Sequence, residues 1–503
     1  MNGSVNGPAR TAAPAVLARA ALPVLAALTA LVAALACTFT TGGTLGHRAP
    51  LHSWYLLDVA LFVLAIVLLR RASARIPERA TAALVLLGGV AVAVTGLLAP
   101  PRTSDDAYRY VWDGRVQAAG ISPYAYAPAD PALAALRARS PDLFPATGSC
   151  TGWDLHRAGA ICTHINRPTV HTIYPPVAEA WFFVLHTADR LTGDHGVRSY
   201  QLGGALLAVA TAAALLLVLR RTRAPLHRAA LWAWCPGVAA WAVNDAHVDT
   251  LGALLMVCGL GLAQRKRGGL GGVLLGLATG TKLIPVLALP GAMSGTLAPG
   301  RRPRPRDLLV PAVAALTFLL CYTPYVIASG LGVIGYLPGY LQEQGYDRGS
   351  GFGLLTLLDI PAELLPYAVV AAMLAAVLWV LRGGDPAAPW RGALTVIGTA
   401  LFLTAPGYPW YALLVVALVA LDGRWEWLAV PVAGELMYLF GAGVQQQVYA
   451  GALYLVIVGA AVRATGRITA PQPPRPPAAP AVRPAPAAAA ARAPIPIRTA
   501  SSR

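Results

Sequence analysis

Charge is scarce in this chain. Of its 503 residues only 12% are Asp, Glu, Lys or Arg, against 56% hydrophobic, and the mean hydropathy is +0.58. That balance excludes an ordinary soluble globular protein. Cysteine is sparse too, with six residues and no pair at metal-ligand spacing, which excludes a cysteine-held zinc or iron–sulfur site of the usual kind. Cys37, Cys235, Cys258 and Cys321 lie in or beside apolar runs and read as small buried thiols. Cys150 and Cys162 share one polar loop and can pair if that loop faces an oxidising compartment. An internal repeat is also missing: neither "SDDAYRYVWDG" nor "GLATGTK" has a second copy, which counts against repeat-built transporters. The net charge of +17 comes without an aromatic-interleaved basic groove, so nucleic acid is not the expected partner.

Apolar runs, in contrast, are plentiful. Residues 16–36, 82–99, 202–219, 308–325 and 368–381 are mostly Ala, Leu and Val, and a hydrocarbon core needs about 20 such residues per helix. The expected partner is therefore a lipid bilayer, and the expected fold an all-α polytopic membrane protein. Basic residues gather on the cytoplasmic side of such proteins. Arg10 and Arg19, "LRRASARIPER", "LRRTRAPLHR", "QRKRGG", "GRRPRPRD", and Arg382 with Arg391 all fall inside on one threading. Crossings then run near 16–37, 54–69, 80–99, 199–219, 229–243, 247–264, 308–327, 363–381, 392–405, 408–421, 427–441 and 448–463. Residues 1–15 form a cytoplasmic N-terminus, 16–464 the membrane domain, and the Pro/Ala-rich 465–503 a disordered cytoplasmic tail. Loops of about 100–198 and 328–363 lie outside.

Residues 269–290 are too short for two crossings yet have basic flanks on both sides. A break at Gly280 gives two short helices meeting inside the membrane or near its outer face, with Lys282 just beyond it; broken helices at that depth line cavities, and intramembrane lysines are functional candidates. A single tilted span with Lys282 snorkelling to an interface is the alternative.

The stretch "RTSDDAYRYVWDGRV", residues 102–116, stands out by concentrating acids in a greasy chain. Thr103 or Ser104 can cap a helix, Asp105 and Asp106 fall in its first turn, and Gly120 with Pro123 stops it. Asp106, Arg109, Tyr110 and Asp113 then share one face, while Tyr108, Trp112 and Arg115 line the next. Acids at a helix N-terminus and an Arg one turn on are also ordinary stabilising devices. The outer ends of other helices add "HTIYPPVAEAW" with Tyr174, "NDAHVDT" with His247, Lys282, "YLQEQGYDRGSGFG" with Arg348, and "APGYPWY". Aromatics suit sugar faces, carboxylates suit hydroxyls, and cations suit a phosphate. In "NDAHVD" the alternating Asp245, His247 and Asp249 permit a metal site, but a helix cap explains them more cheaply.

The acidic motif "SDDAYRYVWDGRVQAAGISPY", followed by "NDAHVDTLGALLMVCGLGLAQRKRGGLGGVLLGLATGTKLIPVLALP", resembles the GT-C superfamily of polyprenyl-phosphate-sugar-dependent glycosyltransferases. The nearest likeness is to bacterial mannosyltransferases that use polyprenyl-phosphate mannose, and it covers most of 100–418. The resemblance implies a multi-span helical bundle with short extracytoplasmic helices in the first large external loop. It also implies transfer of a sugar, mannose first, from a polyprenyl-phosphate donor to a glycan or glycolipid acceptor in envelope biosynthesis, on the outer side of a bacterial plasma membrane. An external-loop aspartate is the general base in that family, a role that falls here to Asp105 or Asp106, with Asp106 favoured by its spacing to Tyr110. Cations for the departing phosphate are Lys282 first, then Arg109, Arg115, Arg348 and His247; Tyr110, Asp113 and Tyr174 complete the expected binding set. No cofactor or obligatory metal is expected. A multi-span transporter or flippase is the alternative function.

Overall fold

The computed structural model describes residues 14–146, 150–192 and 196–469. The chain divides into two compact units, Met1–Gly459 and Ala460–Arg503. Everything below concerns the first; of the second, the described part is the end of the last helix. The expected N-terminal segment lies almost wholly outside the described residues. In the expected tail the helix runs on to Thr469, and the rest lies outside them as well.

Helices dominate, as a bilayer demands of a backbone that must satisfy its own polar groups. In chain order they are α1 (Pro14–Thr41), α2 (Ala49–Ala72), α3 (Glu78–Thr95), α4 (Asp106–Ala118), α5 (Pro176–Thr192), α6 (Arg198–Arg221), α7 (Asp249–Gln264), α8 (Gly268–Thr281), α9 (Leu309–Ser329), α10 (Leu337–Glu343), α11 (Leu365–Gly383), α12 (Pro389–Thr404), α13 (Leu413–Asp422), α14 (Ala429–Phe440) and α15 (Gln445–Thr469). Short helical turns join several of them. Among the described residues the only sheet is a hairpin of β1 (His156–Ala158) against β2 (Ile161–Thr163), antiparallel, with Arg157 opposite Cys162. The protein is an all-α polytopic membrane protein.

Seven helical segments among the described residues are long and apolar enough to cross a membrane, eight if the bent pair Val238–Asn244 and Asp249–Gln264 counts as one span. This is fewer full crossings than the sequence threading gives, and packing explains the difference. α12 has 16 residues and α13 only 10, and every residue of α13 is buried. An apolar run of that length is a core helix rather than a span. Around α13 pack α7, α12 and the turns beside α14. Long helices form the periphery: Leu319 of α9 and Trp379 of α11 are largely exposed, as lipid-facing apolar side chains are.

Two breaks position the site. The π-helical segment Val238–Asn244 meets α7 at 111°, and Ala246 between them has a left-handed φ of 54°. The second break follows α8. Pro285 has no N–H to offer the Thr281 carbonyl one turn back, so the helix ends at Thr281 and Lys282 takes up extended backbone with φ −149°. The break thus falls one residue beyond the expected Gly280, and it leaves two short helical pieces rather than one tilted span.

Candidate active site

The loop ahead of α4 is fastened from below by the sequence "ND". Asn244 Nδ2 donates to the carbonyls of Gly96, Ala99 and Pro100 at 3.0, 3.0 and 3.2 Å. Asp245 accepts the Thr103 hydroxyl at 2.5 Å and the Thr103 and Ser104 amides at 3.2 Å each. Asp245 therefore does not cap its own helix; it holds a loop 142 residues away in sequence, and fixes where α4 begins. Asp245→Ala leaves those buried donors without an acceptor. It is expected to cost about 3 kcal/mol or more, read as a lowered thermal midpoint of the purified protein in detergent; an unchanged midpoint refutes this anchoring role.

Above that anchor opens a cavity of about 730 Å³. Asp105, Asp106, Arg109, Tyr174 and Lys282 line it, brought together from the start of α4, the stretch before α5 and the break after α8. Asp105 sits at the N-terminal edge of α4 but makes no capping bond; the Asp106 amide is met instead by Ser104 Oγ at 3.3 Å. The Asp105 carboxylate turns to His156, whose Nε2 lies 2.5 Å from Oδ2. Asn166 Nδ2 bridges the two acids, donating at 2.6 Å to Asp105 and 2.7 Å to Asp106. The second carboxylate oxygen of Asp106 lies 3.4 Å from the Tyr174 hydroxyl and 3.7 Å from His247 Nδ1. Burial, reinforced by the charge of Asp105, pushes the Asp106 carboxyl above the usual range, with the Asn166 hydrogen bond opposing. The bond to Asp105 raises the His156 imidazole against its own desolvation. Replacing Asp106 is therefore not the loss of a surface helix-end charge.

Lys282 projects from the break after α8. Its ammonium lies 3.0 Å from Asp249 Oδ2 and sits over the rings of Tyr174 and Tyr411 at 5.4 and 4.9 Å. Leu283, Ile284 and Leu287 continue the same wall as apolar side chains.

The other expected residues fall in three places. Tyr110, Asp113 and His247 lie behind the wall. Tyr110 stacks on Phe182 and its hydroxyl is 3.3 Å from His247 Nδ1, while His247 is fully buried and stacks on Trp410. Asp113 holds Arg109 Nε at 3.0 Å, beside Glu179, whose carboxyl is pushed well up by burial and by Asp113. Arg115 lies off the cavity, doubly bonded to Asp142. Arg348 is 82% exposed beside Asp347. Neither of these last two lines the cavity, because their helix face and loop turn them away from it.

Sequence reasoning missed His156, Asn166 and Arg167. Nothing local marks them; they arrive through the first large loop, and Arg167 pairs with Glu343 of α10 from a left-handed backbone position. Gly335 lets that partner segment dock. A Cβ there would stand 1.9 Å from the Thr172 carbonyl, and its φ is +57°. Ala246 and Ala405 are likewise left-handed non-glycines next to the site, a clustering of backbone strain that marks functional regions. Among the described residues no three His, Cys, Asp or Glu side chains converge as a metal site needs; Asp245 and Asp249 serve loop and lysine instead.

A polytopic helical membrane protein with paired, partly buried carboxylates and a lysine lining one aromatic cavity has the equipment of a group-transfer enzyme. Residues 172–337 match the family model of Glycosyltransferase family 87. The matched region holds Tyr174, His247, Asp249 and Lys282 and stops short of Asp105 and Asp106 on the N-terminal side. It supports a membrane glycosyltransferase, and does not favour the transporter reading. Neither the curated proteins nor the solved structures yielded a match.

Proposed function

We propose that this protein transfers a sugar, mannose first, from a polyprenyl-phosphate donor to a hydroxyl of a lipid-linked or envelope glycan on the extracytoplasmic face of a bacterial plasma membrane, with inversion. One observation carries the reading: Asp106 and Lys282 share a cavity wall with Tyr174 between them, within 3.4 Å of the acid and with its ring 5.4 Å from the ammonium. In the reaction the acceptor O–H gives its proton to Asp106 as the oxygen bonds to the anomeric carbon. The bond from that carbon to the phosphate oxygen breaks, and its electron pair leaves on the phosphate, where Lys282 and Arg109 meet the growing charge. Leu283, Ile284 and Leu287 suit the lipid that carries the donor. Positioning in a cavity screened from bulk water supplies much of the remaining acceleration.

The Cys150–Cys162 disulfide supports the outward orientation, since such bonds persist in oxidising compartments, as does the basic character of the opposite loops. With a cysteine at Arg348 in otherwise native protein, an impermeant maleimide added to whole cells is expected to label it, while one at Arg302 stays unlabelled until the membrane is opened. The reverse pattern overturns the orientation. The function itself is tested in proteoliposomes with radiolabelled mannosyl-phosphoryl-polyprenol and octyl α-mannoside. Labelled disaccharide is the expected product; transfer from a nucleotide sugar alone, with none from the lipid donor, overturns the donor class.

A further inference from the structure

The disulfide loop has a task beyond orientation. Cys150 and Cys162 are bonded across a separation of 12 residues, and the loop they close folds into the β1–β2 hairpin. Two of its side chains, Trp153 and His156, form part of the cavity wall. The loop is braced as a binding element should be. His164 Nδ1 meets the Asp154 carboxylate at 3.1 Å, and the α1–α2 turn presses on Trp153 so closely that a Cβ on Gly46 would stand 2.7 Å from the Trp153 Cβ. Trp153 stays half-buried: fixed at its root, yet open to the cavity.

Contacts order the wall. His156 holds Asp105, Asn166 joins Asp105 to Asp106, Asp106 meets Tyr174, and Tyr174 faces Lys282. The aspartates thus stand between the disulfide loop on one side and Lys282 on the other. This step rests on the reading that Lys282 holds the donor phosphate. Inversion requires the acceptor oxygen to approach the anomeric carbon opposite the departing phosphate, so the acceptor occupies the side of Asp106 away from Lys282. We propose that the loop closed by Cys150 and Cys162 is the acceptor subsite, with Trp153 as the platform on which the acceptor sugar ring stacks.

Steady-state kinetics in proteoliposomes, with octyl α-mannoside as acceptor and mannosyl-phosphoryl-polyprenol as donor, test this. A lost aromatic contact is worth up to about 1.4 kcal/mol, so Trp153→Ala is expected to raise the acceptor KM by up to about tenfold. The donor KM is expected to change by less than about twofold, as for a site not shared with the donor. Trp153→Phe keeps a ring on the same backbone and is expected to restore most of the acceptor affinity. Dithiothreitol is expected to raise the acceptor KM of the native protein and to leave unchanged that of the Cys150→Ala/Cys162→Ala variant, already raised. Octyl α-mannoside binding without donor gives the same comparison free of turnover. An unchanged acceptor KM in Trp153→Ala, or equal rises in both KM values, overturns the subsite. Loss of transfer in Asp106→Asn alongside an unchanged acceptor KM in Trp153→Ala sinks the subsite alone; native-like transfer by Asp106→Asn sinks the catalytic reading instead.

Discussion

Asp106→Asn is expected to lower kcat for sugar transfer by about 10²- to 10⁴-fold, the range of a removed general base, while lipid-donor binding persists. The amide keeps the shape of the carboxylate and its place beside Asn166 and Tyr174, so the loss is one of proton acceptance. Asp105→Asn is expected to act differently. Asp105 is already engaged by His156 and Asn166, and losing a hydrogen bond of about 1 kcal/mol costs roughly fivefold. The pH profile separates the two. A base works only when ionised, and the Asp106 carboxyl is raised by burial and by the neighbouring Asp105 charge. Activity is therefore lost as pH falls through that raised value. Removing the Asp105 charge lowers it, so the acidic limb of kcat/KM is expected to move to lower pH in Asp105→Asn. Native-like kinetics in both variants, or an acidic limb that moves upward, rules out the assignment.

The second large effect belongs to Lys282. Its removal is expected to lower activity by about 10²- to 10³-fold, as for a lost donor to a developing oxyanion. Lys282→Ala alone also strands the Asp249 carboxylate, which is 2% exposed, and breaking a buried pair costs about 3–5 kcal/mol. Lost activity in that variant has two sources. Pairing it with Asp249→Asn separates them: the double variant is expected to regain most of the thermal midpoint and none of the transfer rate. Recovery of both means that Lys282 only holds α7 against α8. Unchanged donor KM and kcat in a stable double variant leaves the phosphate without its cation.

Much of the architecture was legible in the chain itself. Low charge, long Ala/Leu/Val runs and arginine clusters between them dictate a helical membrane protein, because a bilayer admits few other solutions. A helix entered near Asp105 and Asp106, a break near Lys282 and the possibility of pairing Cys150 with Cys162 follow from rules that act over a few residues or within one loop; the cap expected at Thr103 or Ser104 gives way to Asp105, which makes no capping bond. Span counting was less secure. Residues 408–421 read as a crossing by composition, but burial on every side makes them core, and apolarity alone does not distinguish lipid from protein as a solvent.

The site divides the same way. The sequence by itself singled out Asp105, Asp106, Tyr174 and Lys282 as polar groups at helix ends in an apolar chain, and all four line one cavity. Only the tertiary structure decided that Asp245 fastens the loop of Thr103, that Asp249 holds Lys282, that His156 and Asn166 reach the acids, and that Arg115 and Arg348 do not. Those relations join segments tens to hundreds of residues apart. Hydrogen bonds and ion pairs reach only a few ångströms, and the chain places such partners together through its folded path, which local spacing does not encode.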